Sequence, residues 1–201
     1  FVPGWTINEF PAFANTRTLS VIFMDFTHDK FISDSNEFWK LFSIIQKFPP
    51  LHNTIKADFK TLLDLTEFHK NDEAKFKMLC RTCIRNLFSL IEADIYYYNL
   101  FDSYQDYDDR HKFFDKFKKT FKQICKTWNR EKLQEEYFQT KLNDLKEIKD
   151  FRDKLTHPKE IKHIIVPTED IFNKVKKVFN DYDTFISTIM SNFFFSTQLP
   201  L

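Results

Sequence analysis

Apolar residues recur at steps of three and four along most of this chain, the spacing of helices with one buried face. The strongest run covers 72–103, where Phe76, Leu79, Cys80, Cys83, Ile84, Leu87, Phe88, Leu90, Ile91 and Ile95 form one wide stripe. A stripe that wide predicts a central helix touched on several sides. A second helix is expected over 110–127, with Phe113, Phe114, Phe117, Phe121 and Ile124 inward and Asp108 or Asp109 as its cap. A third covers 130–156, its inner face made by Leu133, Tyr137, Phe138, Leu142, Leu145, Ile148, Phe151 and Leu155, and Pro158 stops it. Thr168 caps a last helix that runs to about residue 194. Upstream, Ser35 and Asn36 offer a cap for a helix that Pro49-Pro50 ends at about residue 48, and a separate helix follows over 53–68. Residues 103–109 are a polar break and 164–167 an extended apolar link. Residues 18–32 suit a helix or a strand equally, and 1–17 show no period.

Four to five long helices with short links predict an all-α, up-and-down helical bundle over 71–201, preceded by an irregular and helical N-terminal extension over 1–70. Composition agrees. One Gly and seven Pro leave few tight hairpins, which disfavours a sandwich or barrel. The 26 Phe residues read as core filling on a biased composition rather than as an aromatic binding surface.

A net charge of +1 names no partner, but its distribution is uneven. The stretch 94–109 holds five acids and no base, and 110–132 holds nine bases and two acids. In the basic stretch, Lys112, Lys116, Lys119, Lys122 and Lys126 are candidates for contact with an RNA backbone, with Lys118, Arg130 and Lys132 beside them. The plainer reading is a solvated face opposite the Phe stripe, or pairing with the acidic stretch. Three cysteines give no disulfide framework and suit a reducing, cytoplasmic setting. Cys80 and Cys83 lie inside a helix without a second pair, so no metal and no cofactor are expected. No apolar run reaches the length of a membrane span, so no membrane partner is expected; the nearest, 185–195, is broken by Ser187, Thr188, Ser191 and Asn192. Tyr96, Tyr97 and Tyr98 read as packing, and His28, His52, His69, His111 and His163 as ordinary.

The informative segment is Phe151-Arg152-Asp153-Lys154-Leu155-Thr156-His157-Pro158. Arg152 lies four residues after Ile148 and three before Leu155, so it falls on or beside the inward face and needs a partner or a cleft. His157 comes five positions later, about 140° around an ideal helix. The two side chains meet only if the chain turns at His157 or a second subunit brings them together. An imidazole can move a proton at neutral pH, and a guanidinium can brace charge on phosphate oxygens. RNA supplies its own nucleophile in the 2′-hydroxyl. By spacing alone, an Arg paired with a neighbouring carboxylate and a His capping the helix end explain the same residues.

The segment RDKLTH, followed by Pro158 and Lys159, resembles the signature of the HEPN superfamily: an Arg, a polar residue, three more residues and a His at the end of a bundle helix. The upstream helix RNLFSLIEADIYYYN, 85–99, is similar to the first core helix of such domains, with Glu92 inside its apolar stripe. The resemblance covers about 72–195. It implies a helical bundle that forms homodimers with the motif of both subunits at one cleft. It also implies metal-independent endoribonuclease activity, commonly in toxin–antitoxin or phage-defence systems with an antitoxin-like protein partner. On this carry-over His157 is the general acid/base, Arg152 the phosphate stabiliser and Asp153 an orienting residue, with Glu92 a second candidate. Pro158 and Lys159 stand where some members carry a modified Tyr. Other members are non-catalytic binding proteins, which gives the alternative reading. A plain helical interaction module is the third.

Overall fold

The computed structural model describes residues 30–32, 34–160, 167–191 and 195–197. The irregular reading of 1–17, most of 18–32, the extended link at 164–166 and the last residues of the final helix at 192–194 lie outside the described residues. Six helices carry the fold, an all-α helical bundle: α1 (Ser35–Phe68), α2 (Glu73–Phe101), α3 (Phe113–Thr127), α4 (Glu131–Thr140), α5 (Leu142–Thr156) and α6 (Glu169–Met190). Two three-residue strands, β1 (Lys30–Ile32) and β2 (Phe195–Thr197), pair in parallel with Lys30 opposite Phe195.

Helix α2 is the centre, as its wide stripe predicts. It packs on α1, α3, α5 and α6, and Cys80, Cys83, Ile84, Leu87, Phe88 and Ile91 are fully buried. Asp72 caps it, its carboxylate accepting from the Lys75 amide at 3.2 Å. Leu41, Phe48, Phe59 and Leu63 of α1 belong to the same core as the residues after 71.

Four local expectations need correction. The cap of α1 is Asp34 rather than Ser35 or Asn36, its carboxylate accepting from the Asn36 amide at 2.7 Å. Pro49-Pro50 do not end a helix, because α1 is continuous from Ser35 to Phe68. Each Pro removes an amide donor and costs about 3 kcal/mol in a helix interior. Packing on both sides offsets that cost. Phe48 is buried, with its ring centroid 5.6 Å from Tyr97 and 5.0 Å from Tyr98, and His52 is buried one turn later. The 130–156 helix is two helices that meet at Lys141, where φ is −116° and ψ −24°. The Thr140 hydroxyl donates to the Glu136 carbonyl at 2.8 Å, a back-bond that bends helices. Neither Asp108 nor Asp109 caps α3, which starts at Phe113 without a side-chain cap. Asp108 instead accepts from the Arg110 amide at 2.8 Å and from its guanidinium.

The end of α3 sets the groove between α3 and α4. Asn129 takes the left-handed conformation (φ 52°) that Gly usually supplies. The Arg130 amide reaches back to the Cys125 carbonyl at 2.6 Å and the Asn129 amide to the Lys126 carbonyl at 3.3 Å, a complete Schellman turn. Thr168 caps α6 as expected, its hydroxyl accepting from the Ile171 amide at 3.3 Å.

Candidate functional site

Arg152 and Asp153 stand on the last turn and a half of α5, and His157 is the residue at which the chain leaves that helix. The His157 amide still bonds the Asp153 carbonyl at 2.9 Å, but its backbone (φ −128°, ψ 64°) is no longer helical. The chain therefore turns at His157, one of the two conditions under which the motif residues can face one ligand. Its imidazole is exposed. Among the described residues no hydrogen bond or ion pair holds it, and none joins it to Arg152.

Arg152 is held from two sides. Nη2 donates to Glu92 Oε1 of α2 at 3.4 Å, and Nη1 to Asp153 Oδ1 at 3.3 Å. Its side chain is 24 % exposed, so it reaches solvent along one edge. A guanidinium has five N–H donors, and these two contacts leave the rest available to a phosphate. Asp153 in turn accepts from Lys149 Nζ at 2.5 and 2.6 Å. Lys149 is buried, its ammonium 5.9 Å from the Phe88 ring centroid and 5.4 Å from that of Phe113. Burial acts to raise the Asp153 carboxyl, but the bond and charge of Lys149, then of Arg152, outweigh it and hold the group below the usual carboxylate range. Glu92, Arg152, Asp153 and Lys149 thus form one chain of alternating charge across α2 and α5. Arg85 of α2 donates to the Leu155 carbonyl at 3.1 Å and satisfies the open end of α5 just before His157.

Two members of this arrangement escape a reading by spacing. Lys149 is four residues before Asp153, which normally signals a solvated pair on a helix surface. It is buried because the Phe88 and Phe113 rings lie under it. The reach of Arg85 across to α5 depends on how the helices cross.

The candidate lysines of α3 divide. Lys116 bonds the Asp109 carbonyl at 2.8 Å, with the Asp109 carboxylate at 3.9 Å. Lys112, Lys119, Lys122 and Lys126 are exposed, as is Lys118. The acidic stretch is partly an internal feature. Asp94 is 1 % exposed and accepts from Tyr182 at 2.8 Å, and lies 2.9 Å from Nδ1 of His52. Burial raises the Asp94 carboxyl, opposed first by His52 and then by Tyr182. This buried trio joins α1, α2 and α6. Asp94 follows Ile91 by three and precedes Tyr98 by four, so the apolar stripe itself places it inside. Burial pushes the Cys80, Cys83 and Cys125 thiols up to about 12, 11 and 12, which keeps them neutral. Among the described residues no cluster of three or more His, Cys, Asp or Glu could hold a metal ion, and no helix is long and apolar enough to cross a membrane.

No family model, curated protein or solved structure matches this chain.

Proposed function

We propose that this chain is a metal-independent endoribonuclease of the HEPN type, acting in the cytoplasm as a homodimer, with Arg152 and His157 as its working pair. The observation that carries the proposal is the end of α5. An exposed imidazole stands where the chain turns, five residues after Arg152, whose guanidinium is held by Glu92 and Asp153. On an unbroken helix the two positions lie about 140° apart, and the turn at His157 releases the imidazole from that constraint, so both groups can reach one phosphodiester.

The chemistry follows from the groups. His157 takes the proton of a ribose 2′-hydroxyl as its oxygen bonds phosphorus. Arg152 braces the charge on the non-bridging oxygens. The bond from phosphorus to the 5′-oxygen breaks, and that oxygen takes a proton from the same imidazole of a second copy. The products are a 2′,3′-cyclic phosphate and a 5′-hydroxyl. Asp153 and Glu92 position the guanidinium, and Lys149 positions Asp153. An antitoxin-like protein that covers this end of α5 fits the same reading.

One observation favours a second reading. Arg152 already bonds two carboxylates, so its charge is largely met without a ligand, as in a non-catalytic HEPN-like binding protein. Incubating the purified protein with a mixed RNA pool in EDTA separates the two. The ribonuclease reading expects fragments ending in cyclic phosphate, and an intact pool favours the binding protein.

A further inference from the structure

The lysines of this protein fall into two groups. Lys70, Lys141, Lys174, Lys176 and Lys177 each lie within 3.3 Å of a carboxylate oxygen. On α3, Lys118, Lys119, Lys122 and Lys126 have no carboxylate within 4.0 Å among the described residues. Neutralised lysines are the rule on α6 and the exception on the outer face of α3. Three of these four line a groove of about 370 Å³ between α3 and α4, with Gln134, Glu135 and Phe138 on the facing wall. Three bases against one acid make it an anion-attracting concavity.

The groove also offers a flat apolar surface. Phe138 is half-buried, with its ring 5.9 Å from that of Phe117, so it is braced from behind. A chain of packed rings links the wall of the groove to the candidate site. Lys149, bonded to Asp153 beside Arg152, lies over Phe113 at the start of α3. The Phe113 ring stacks 5.9 Å from Phe117, which meets Phe138. Lys118 is one and a half turns beyond Phe113 along the same helix.

We propose that the α3–α4 groove binds single-stranded RNA, with its phosphates on Lys118, Lys119 and Lys122 and one base on the Phe138 ring. The naming of RNA rests on the ribonuclease reading; the preference for a flexible polyanion with stackable faces comes from the groove. Positive grooves that track a backbone beside an aromatic face are the usual way to hold single strands without sequence preference. Lys112 and Lys126 flank this path, and Lys116, tied to Asp109, takes no part in it.

The test is fluorescence anisotropy with a labelled oligouridylate of about a dozen nucleotides. Its sugars are 2′-O-methylated, so it cannot be cut and binding is read apart from cleavage. Measurements run between about 50 and 200 mM salt. The wild type should bind more weakly as salt rises. Lys118→Gln/Lys119→Gln/Lys122→Gln should weaken binding at least about tenfold and flatten the slope of log affinity against log salt by about 2, from roughly 0.7 per lost phosphate contact. Phe138→Leu should weaken binding roughly tenfold with the slope unchanged. Lys174→Gln/Lys176→Gln/Lys177→Gln, the same charge change on α6, should bind as the wild type does. The proposal is overturned by a wild type that does not bind. It is equally overturned by an α3 triple variant within about twofold of wild type, or by an α6 triple variant that loses as much. If the groove fails while the wild type cuts RNA in EDTA, the ribonuclease reading stands without it. If RNA stays intact but the α3 triple variant alone loses binding, the groove stands and the activity falls.

Discussion

His157→Ala is expected to lower RNA cleavage by about 10²- to 10⁴-fold, the usual contribution of a positioned general acid/base. That is about 3 to 5 kcal/mol of transition-state stabilisation at 1.36 kcal/mol per tenfold. The fold should not feel the change. The imidazole is exposed, no described residue bonds it, and only its backbone amide belongs to α5. Surface substitutions of this kind stay within about 0.5 kcal/mol of wild-type stability. Cleavage of a quenched-fluorophore RNA in EDTA, beside urea unfolding of both proteins, measures the two effects together. Equal cleavage by the variant, with the wild type active, would remove His157 from the mechanism.

Asp94→Ala should be the most damaging single change to stability among the polar residues. It deletes the acceptor shared by His52 and Tyr182, all three buried. A buried donor left without a partner costs about 1–3 kcal/mol, and two are left here, so a loss of about 3–5 kcal/mol is expected. Against a typical total of roughly 5–15 kcal/mol this is a large fraction. Tyr182→Phe removes one bond and keeps the ring in its place against Phe117 and Phe121, so its loss should be smaller, about 1.5–3 kcal/mol. Urea midpoints of the two variants and wild type check the order. An Asp94→Ala loss below about 1 kcal/mol would mean that the trio does not pin α1, α2 and α6 together.

The helical architecture was legible because apolar residues recur at steps of three and four along the helices, and the cap of α6 was legible because Thr168 precedes its stripe directly. What escaped reading was set by contacts far apart in sequence. Two prolines read locally as a stop, yet α1 continues past them because Phe48 packs on Tyr97 and His52 reaches Asp94 across 42 positions. The bend at Lys141 leaves the 3.6-residue pattern nearly unbroken, so it has no signature in the apolar positions. Asp108 had the right type and place for a cap, but Arg110 claimed it.

The candidate site shows the same division. The motif and its place at a helix end could be read directly, and the resemblance drew attention to Glu92. That Glu92 Oε1 lies 3.4 Å from Arg152 Nη2 depends on how α2 crosses α5, which periodicity does not encode. Lys149 was hidden for a related reason: its burial is a property of the rings under it rather than of its own position. The lysines of α3 were visible as a charge run, but the groove that selects Lys118 over Lys116 exists only once Asn129 has turned the chain and laid α4 beside α3.

The most direct measurement uses two synthetic oligomers in EDTA, one all RNA and one identical except for a 2′-deoxyribose on the 5′ side of the cut linkage. Cleavage of the first to a 2′,3′-cyclic phosphate, with that linkage intact in the second, is the expected result. Cutting of both at the same linkage, or of neither, would contradict a phosphodiester cleavage driven by the 2′-hydroxyl between Arg152 and His157.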